Sequence, residues 1–222
     1  MNKKQSAGIP ILIKIYECLF NTFGPQHWWP GDTPFEVMVG AILTQNTNWQ
    51  NVEKAINNIK RANLLHPHKL LENREKIPQL IRPSGFYKLK SKRLISFLKY
   101  FVERYNGEVK NFNKKETNYL RNELLSVPGI GPETADSILL YALERPVFVI
   151  DAYTRRMLTR HNLISQNADY GEIQRFFENN LPRDIRLYNE YHALIVRLGK
   201  EYCKKNEPLC DTCPIYTIFV HS

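Results

Sequence analysis

The chain is predicted to fold as an all-α protein. Two observations lead there: helical periodicity dominates the sequence, with no convincing alternating strand, and Pro and Gly punctuate the periodic stretches at intervals. Residues 10–23 open the series, with Ile11, Ile15 and Leu19 on one stripe beside Leu12, Tyr16 and Phe20. Pro30-Gly31 precedes a helix over 34–47, which 49–62 follows; Pro67 introduces 68–73, and Pro83-Ser84-Gly85 closes 75–82. A long pattern over 88–105 ends at Asn106-Gly107. Then come 116–126, stopped by Pro128-Gly129, and 133–143, stopped before Pro146. The last three are 152–160, 169–180 (ended by Pro182) and 187–202. No repeat, low-complexity segment or long linker interrupts them, so composition alone gives one compact all-α unit.

Bulk properties narrow the partner. The 222 residues carry 31 Lys and Arg against 22 Asp and Glu, a net charge of +9, and the pI is about 9.3. That balance favours an anionic partner, of which nucleic acid is the commonest. Apolar residues make up 43%, which supports a real core and excludes general disorder. Lys14 and Glu17 interrupt the apolar run near the N-terminus and no small-x-small site follows, so helix is a better reading there than signal peptide. No stretch approaches the roughly eighteen apolar residues of a membrane span. Cys203, Cys210 and Cys213 cluster while Cys18 stands alone, a pattern of a metal or cluster site in a reducing cytoplasm.

The most specific stretch is Val127-Pro-Gly-Ile-Gly131, followed by Asp151 in Val-Ile-Asp-Ala-Tyr. Gly129 and Gly131 permit a tight turn between two helical patterns, and Pro132 can open the second. Backbone N–H groups at such a turn suit a phosphate and read no bases. Asp151 follows an apolar run, Val147 to Ile150, and precedes the basic pair Arg155-Arg156. A carboxylate beside a phosphate grip suggests chemistry on a nucleotide; the plainer alternative is a helix N-cap, and the two roles are compatible.

The run from Leu124 to Asp151 resembles the helix-hairpin-helix DNA glycosylases of the endonuclease III superfamily, and the resemblance extends from about Trp28 to Cys213. It implies two helical domains flanking a DNA-binding cleft. A helical-barrel domain with the helix-hairpin-helix, about 33–145, would be inserted into a second domain formed by 1–32 and 146–222. It also implies that Asp151 is catalytic, stabilising the oxocarbenium character at C1′ and orienting or deprotonating the attacking water. Bifunctional members place a Lys two residues after the last hairpin glycine, where its amine forms a Schiff base. This chain has Glu133 there. A carboxylate cannot form that imine, so AP lyase chemistry by the usual route should be absent.

Trp28-Trp29-Pro30 and Trp49, with Phe35-Glu36, Val39-Gly40-Ala41, Leu43-Thr-Gln-Asn-Thr47 and Arg82-Pro-Ser-Gly-Phe-Tyr87, resemble the endonuclease-III-like 3-methyladenine DNA glycosylases. That subgroup also carries Glu at the lyase position. The resemblance assigns Trp28 and Trp49 as walls stacking on a flipped base, with Trp29, Pro30 and Glu133 completing the pocket. Core packing is the default role of tryptophan. An alkylated base that carries positive charge would gain about 0.5–2 kcal/mol from such aromatic faces, and as an activated leaving group it needs no strong general acid. By position Gln45 resembles the family's plug and Phe86 its wedge, with Asn46 and Tyr87 as neighbours. Gly129, Ile130, Gly131 and Lys88 are assigned to DNA; Lys90, Lys92 and Arg93 are further candidates for phosphates.

Many superfamily members hold a [4Fe–4S] cluster on C-x6-C-x2-C-x5-C. Cys203, Cys210 and Cys213 match, but Phe219 stands at the fourth position. The cluster is lost, or keeps a substitute ligand such as His221 or Cys18, or gives way to a three-cysteine site for a labile cluster or zinc. The leading expectation is a monofunctional base excision repair glycosylase that acts, as a monomer, on alkylated purines such as 3-methyladenine in double-stranded DNA. It would be cytoplasmic and nucleoid-associated. The alternatives are an endonuclease III-type glycosylase/AP lyase for oxidised pyrimidines and a noncatalytic damaged-DNA-binding module.

Overall fold

Most of the helical spacing becomes helix. The computed structural model describes residues 8–28 and 31–220, and every regular element among them is helical. Trp29, Pro30 and His221 lie outside the described residues. The chain divides into two compact units, Trp29–Arg145 and the paired segments Met1–Trp28 and Pro146–Ser222. No helix among the described residues is long and apolar enough to cross a membrane.

The Trp29–Arg145 unit contains α2 (Pro34–Leu43), α3 (Trp49–Arg61), α4 (Pro67–Glu72), α5 (Ile77–Leu80), α6 (Tyr87–Tyr105), α7 (Thr117–Ser126) and α8 (Pro132–Ser137). Thr33 caps α2 through the Glu36 amide at 3.2 Å, and Phe35 to Leu43 are all buried, which makes α2 the central helix. Phe97, Phe101, Phe112 and Tyr105 stack in that order around the end of α6, with successive centroids 5.8, 5.2 and 4.0 Å apart. Each fully buried Phe in such a cluster is worth about 1.5–3 kcal/mol of transfer free energy.

The structure departs from the prediction in three places. The helix expected over 34–47 stops at Leu43; the Thr44 hydroxyl donates to the Gly40 carbonyl at 2.6 Å, and Asn46 takes a left-handed φ of 54°. The stretch 75–82 breaks into two 3-10 turns, Arg74–Lys76 and Arg82–Ser84, around α5, because Pro78 and Pro83 each lack an amide donor. Beyond α8 the helix continues as a π-helical turn, Ile138–Ala142. A further 3-10 turn, Val109–Lys114, lay outside the predicted series.

The terminal unit contains α1 (Gly8–Phe23), α9 (Ala152–Arg160), α10 (Tyr170–Glu178), α11 (Ile185–Glu201) and the short α12 (Tyr216–Val220), which periodicity did not reveal. Leu12, Ile15 and Leu19 of α1 are fully buried, and the Tyr191 hydroxyl of α11 donates to the Leu12 carbonyl at 2.8 Å. Phe148 stacks on Phe177 at 3.9 Å, with Tyr188 and Tyr191 edge-on to Phe148. Helices α9 and α11 approach closely only because Gly199 has no side chain: a Cβ there would stand 2.2 Å from Cδ1 of Tyr153.

Candidate active site

Asp151 is placed by the segment before it. Val147 to Ile150 is buried and belongs to no helix or strand, so its backbone polar groups need other bonds. One face of α10 supplies them. The Glu178 carboxylate accepts from the Phe148 amide at 2.9 Å, Gln174 donates to the Phe148 carbonyl at 2.8 Å, and the Tyr170 hydroxyl accepts from the Ile150 amide at 3.2 Å. Residues 170, 174 and 178 recur at helical spacing, a signal visible in the sequence but meaningless without knowing what α10 faces.

Asp151 caps α9, accepting from the Thr154 amide at 2.7 Å. Its other carboxylate oxygen lies 3.6 Å from Nε2 of His192 on α11, and both side chains are nearly buried. Burial acts to raise the Asp151 pKa, but His192 and Thr154 outweigh it and hold the carboxyl below its ordinary value. The carboxylate is therefore ionised at neutral pH. Sequence reasoning did not single out His192 as a neighbour of Asp151.

The hairpin is pinned by an ion pair invisible to local patterning. Arg121 of α7 grips Asp136 of α8 with two hydrogen bonds, at 2.7 and 3.0 Å, and the Asp136 side chain is fully buried. Gly129 takes a φ of 91°, and a Cβ there would stand 2.2 Å from Cγ of Arg93. Ile130 turns its side chain inward, and its N–H is used on the Val127 carbonyl at 3.0 Å. Gly131 is the N-cap of α8.

Gln45 rests on this hairpin. It donates to the Gly129 carbonyl at 3.1 Å and to the Thr134 hydroxyl at 2.9 Å, and accepts from Arg93. Lys90, expected among the phosphate-contacting lysines, is instead 1% exposed. Its ammonium donates to the Leu43 carbonyl at 2.7 Å and the Ser84 carbonyl at 2.6 Å. Helix α6 turns this residue toward α2, whereas Lys88 and Lys92 stay exposed. Burial depresses the Lys90 pKa to about 8, and Arg93 pushes the same way. Lys90 thus ties the end of α2, just before Gln45, to the turn just before Phe86.

Phe86 is 69% exposed with a left-handed φ of 44°. An exposed aromatic in a conformation costly for a non-glycine residue is a feature that function explains better than packing does. Glu133 is exposed in the first turn of α8. Trp49 is half-buried and lines a pocket of about 210 Å³ with Asp32, Glu36, Glu53 and Lys60. Lys60 bridges Asp32 and Glu36, each at 2.7 Å. Trp28, in the terminal unit, is half-buried, with the Lys200 ammonium 5.8 Å from its ring centroid.

The cysteine loop closes on itself. The Leu209 amide donates to the Tyr202 carbonyl at 3.0 Å, and the Cys213 amide to the Cys210 carbonyl at 3.0 Å. Arg160 donates to the Cys203 sulfur at 3.3 Å. Burial pushes the Cys213 thiol up, against the Ile215 backbone amide, which lowers it. Among the described residues no group of three or more His, Cys, Asp or Glu could hold a metal ion.

Comparison with known proteins decides the lineage. Residues 39–183 match the HhH-GPD superfamily of base excision DNA repair proteins. The chain belongs to this superfamily. A Methanocaldococcus jannaschii protein provisionally named a DNA repair glycosylase is 54% identical over 207 residues, covering 92% of this chain and 94% of that one. Endonuclease III of Thermotoga maritima is 28% identical over 181 residues, covering 81% of this chain and 79% of that protein. The H. pylori 3-methyladenine DNA glycosylase MagIII, bound to 1,N6-ethenoadenine, matches with a TM-score of 0.75 and 31% identity over 87% of this chain and 97% of its own. An endonuclease III–DNA complex at 21% identity shares the fold, with a TM-score of 0.80 over 99% of this chain and 96% of its own. The HhH-GPD protein is thus a base excision repair DNA glycosylase by family, all-helical as its sequence predicted.

Proposed function

We propose that this HhH-GPD protein is a monofunctional glycosylase that hydrolyses the N-glycosidic bond of alkylated purines, 3-methyladenine foremost, and leaves an abasic site. Glu133 carries the reading: the position that would bear an imine-forming amine bears a carboxylate on the first turn of α8. The base preference is supported by the likeness to MagIII and by the aromatic faces of Trp28 and Trp49, joined in the sequence reading by Trp29 and Pro30. Asp151, ionised beside His192, stabilises positive charge at C1′ and receives a proton from the attacking water. A base already cationic leaves without a strong acid.

In this reading the protein acts as a monomer on double-stranded DNA in the cytoplasm, at the nucleoid. Gly129, Gly131 and Lys88 hold phosphate, and Ile130 anchors the hairpin from within. Phe86 enters the stack as wedge, and Gln45 leaves its hairpin contacts to fill the gap. Cys203, Cys210 and Cys213 would supply three thiolates to a [4Fe–4S] cluster, and no step of the hydrolysis passes through it.

The test is base release from methylated duplex DNA, with strand breaks scored before and after hot alkali. Release of 3-methyladenine with breaks only after alkali is expected. Absence of release together with direct nicking and borohydride trapping on a thymine-glycol duplex would replace this reading with the oxidised-pyrimidine lyase. Binding to an abasic duplex without release from either substrate would leave the noncatalytic module.

A further inference from the structure

We propose that Leu89 is a second apolar residue that enters duplex DNA, pressing on the base step beside the one that Phe86 opens. The inference rests on the wedge reading of Phe86 above. Leu89 lies three residues beyond Phe86, in the first turn of α6, and is 48% exposed. A single exposed leucine is ordinary. A pair is not. Among the described residues the other exposed large apolar side chains are Phe20, Tyr119, Leu209 and Tyr216, each standing apart in the chain, whereas Phe86 and Leu89 lie one helical turn from each other. The Leu89 amide donates to the Phe86 carbonyl at 3.0 Å, which closes that turn. A spacing of three along a helical turn makes surface neighbours, so both side chains can act on one partner.

The turn beneath the pair is tied down from within. Gly85 and Phe86 both take a left-handed φ, 67° and 44°. The Lys90 ammonium donates to the Leu43 and Ser84 carbonyls, and the Ser84 hydroxyl donates to the Ile81 carbonyl at 2.7 Å. Lys90 and Ser91 are buried, and the two residues before them, Lys88 and Leu89, are left exposed. A base fixed in this way loses little freedom on binding, so burial of Phe86 and Leu89 is not offset by ordering of the turn. The rim decides the partner. From Lys76 to Val102 the chain has no Asp or Glu, while Arg82, Lys88 and Lys92 are exposed near the pair. An apolar point with a cationic rim fits a polyanion that has an apolar interior. Duplex DNA is one, and leucine and phenylalanine wedges enter it between base steps. A second copy of the chain would set like charges together. An anionic lipid surface needs a longer apolar face, and the exposed side of α6 continues instead through Lys92 and Lys99.

The experiment uses the full chain and a duplex that carries an uncleavable abasic analogue with 2-aminopurine beside it, whose fluorescence rises when the stack opens. Affinity and fluorescence are measured for the wild type, Leu89→Ala, Leu89→Met and Phe86→Ala, with thermal melts as the check on folding. Leu89→Ala should bind the paired duplex about tenfold more weakly and give a smaller fluorescence rise, while Leu89→Met keeps both. The loss should shrink to about threefold or less when the neighbouring pair is mismatched, since that step is already partly open. Wild-type affinity and fluorescence in Leu89→Ala would overturn the inference. An equal loss on paired and mismatched duplexes would overturn it too, because it marks a general surface contact. Leu89→Gln, closer in size, replaces the alanine variant if that one melts early, with the same outcomes. Vesicles of anionic lipid test the other source of negative charge, and binding to them that needs Leu89 would sink the DNA assignment. The Phe86 reading is seen separately. A Phe86→Ala protein with full fluorescence, beside a Leu89→Ala protein that loses it, would remove Phe86 and keep Leu89. A wild type that raises no fluorescence would overturn both. No base is released in these measurements, so the glycosylase reading stands or falls apart from them.

Discussion

His192 and Asp151 form a buried pair, Nε2 to Oδ2 3.6 Å, with side chains 6% and 11% exposed. The pair joins α11 to the N-cap of α9. It also turns a residue with an ordinary capping role into an ionised group held in a low-dielectric setting.

The capping role of Asp151 and its proposed catalytic role separate in Asp151→Asn. Asparagine is as good an N-cap as aspartate and can still accept from the Thr154 amide, so chemical denaturation at pH 7 should show a loss within about 1 kcal/mol. Base release should fall by about 10²–10⁴-fold, with binding to an abasic duplex retained. A variant that keeps wild-type turnover would reduce Asp151 to a cap.

The same carboxylate sets an acid limit. Its folded pKa lies below the ordinary value of 3.8. The stability it confers is therefore complete above that ordinary value and lost as pH falls through the folded one. The stability difference between wild type and Asp151→Asn should be flat from pH 5 to 8 and shrink only below about pH 4. A difference already titrating near pH 6 would contradict the assigned environment.

Arg121 is the cation for a fully buried carboxylate, Asp136. Arg121→Met should cost about 3–5 kcal/mol, because it strands that charge, and Arg121→Met with Asp136→Leu should recover most of the loss. Urea titration of the two variants checks this. The single variant should also weaken duplex DNA binding, since α7 and α8 carry the hairpin between them.

Gly129→Ala combines a left-handed φ of 91° with a 2.2 Å clash against Arg93. Gly85→Ala, at φ 67° with nothing within 4 Å of the added Cβ, carries the backbone strain alone. Gly85→Ala should cost about 1–3 kcal/mol and Gly129→Ala measurably more in thermal denaturation. Only Gly129→Ala should disturb the Arg93 contact that holds Gln45.

Lys90 predicts a rise of stability with alkali. Its folded pKa is about 8 against an ordinary 10.5. Between those values the unfolded chain binds more protons than the folded one, so stability increases with pH across that window. The increment should appear in the wild type and be missing from Lys90→Met when both are titrated from pH 8 to 10. Equal slopes would mean that Lys90 is not buried as a cation.

By itself the sequence determined the all-helical class and most helices, because spacing and Pro/Gly stops act within a few residues. It also carried the resemblance to the HhH-GPD superfamily, since Pro128 to Gly131, Glu133 and Asp151 lie close together in the chain. Local signals failed where helices were short or bent: α12, the π-helical turn after α8, and the stop at Thr44. Tertiary structure alone decided which side chains meet over long separations. Lys90 reads as one more lysine of a basic helix until α2 covers it. His192 gains its meaning only because α11 packs on α9. Helix propensity is a property of neighbours along the chain, whereas burial and charge pairing depend on which faces pack, and that is settled by the core as a whole.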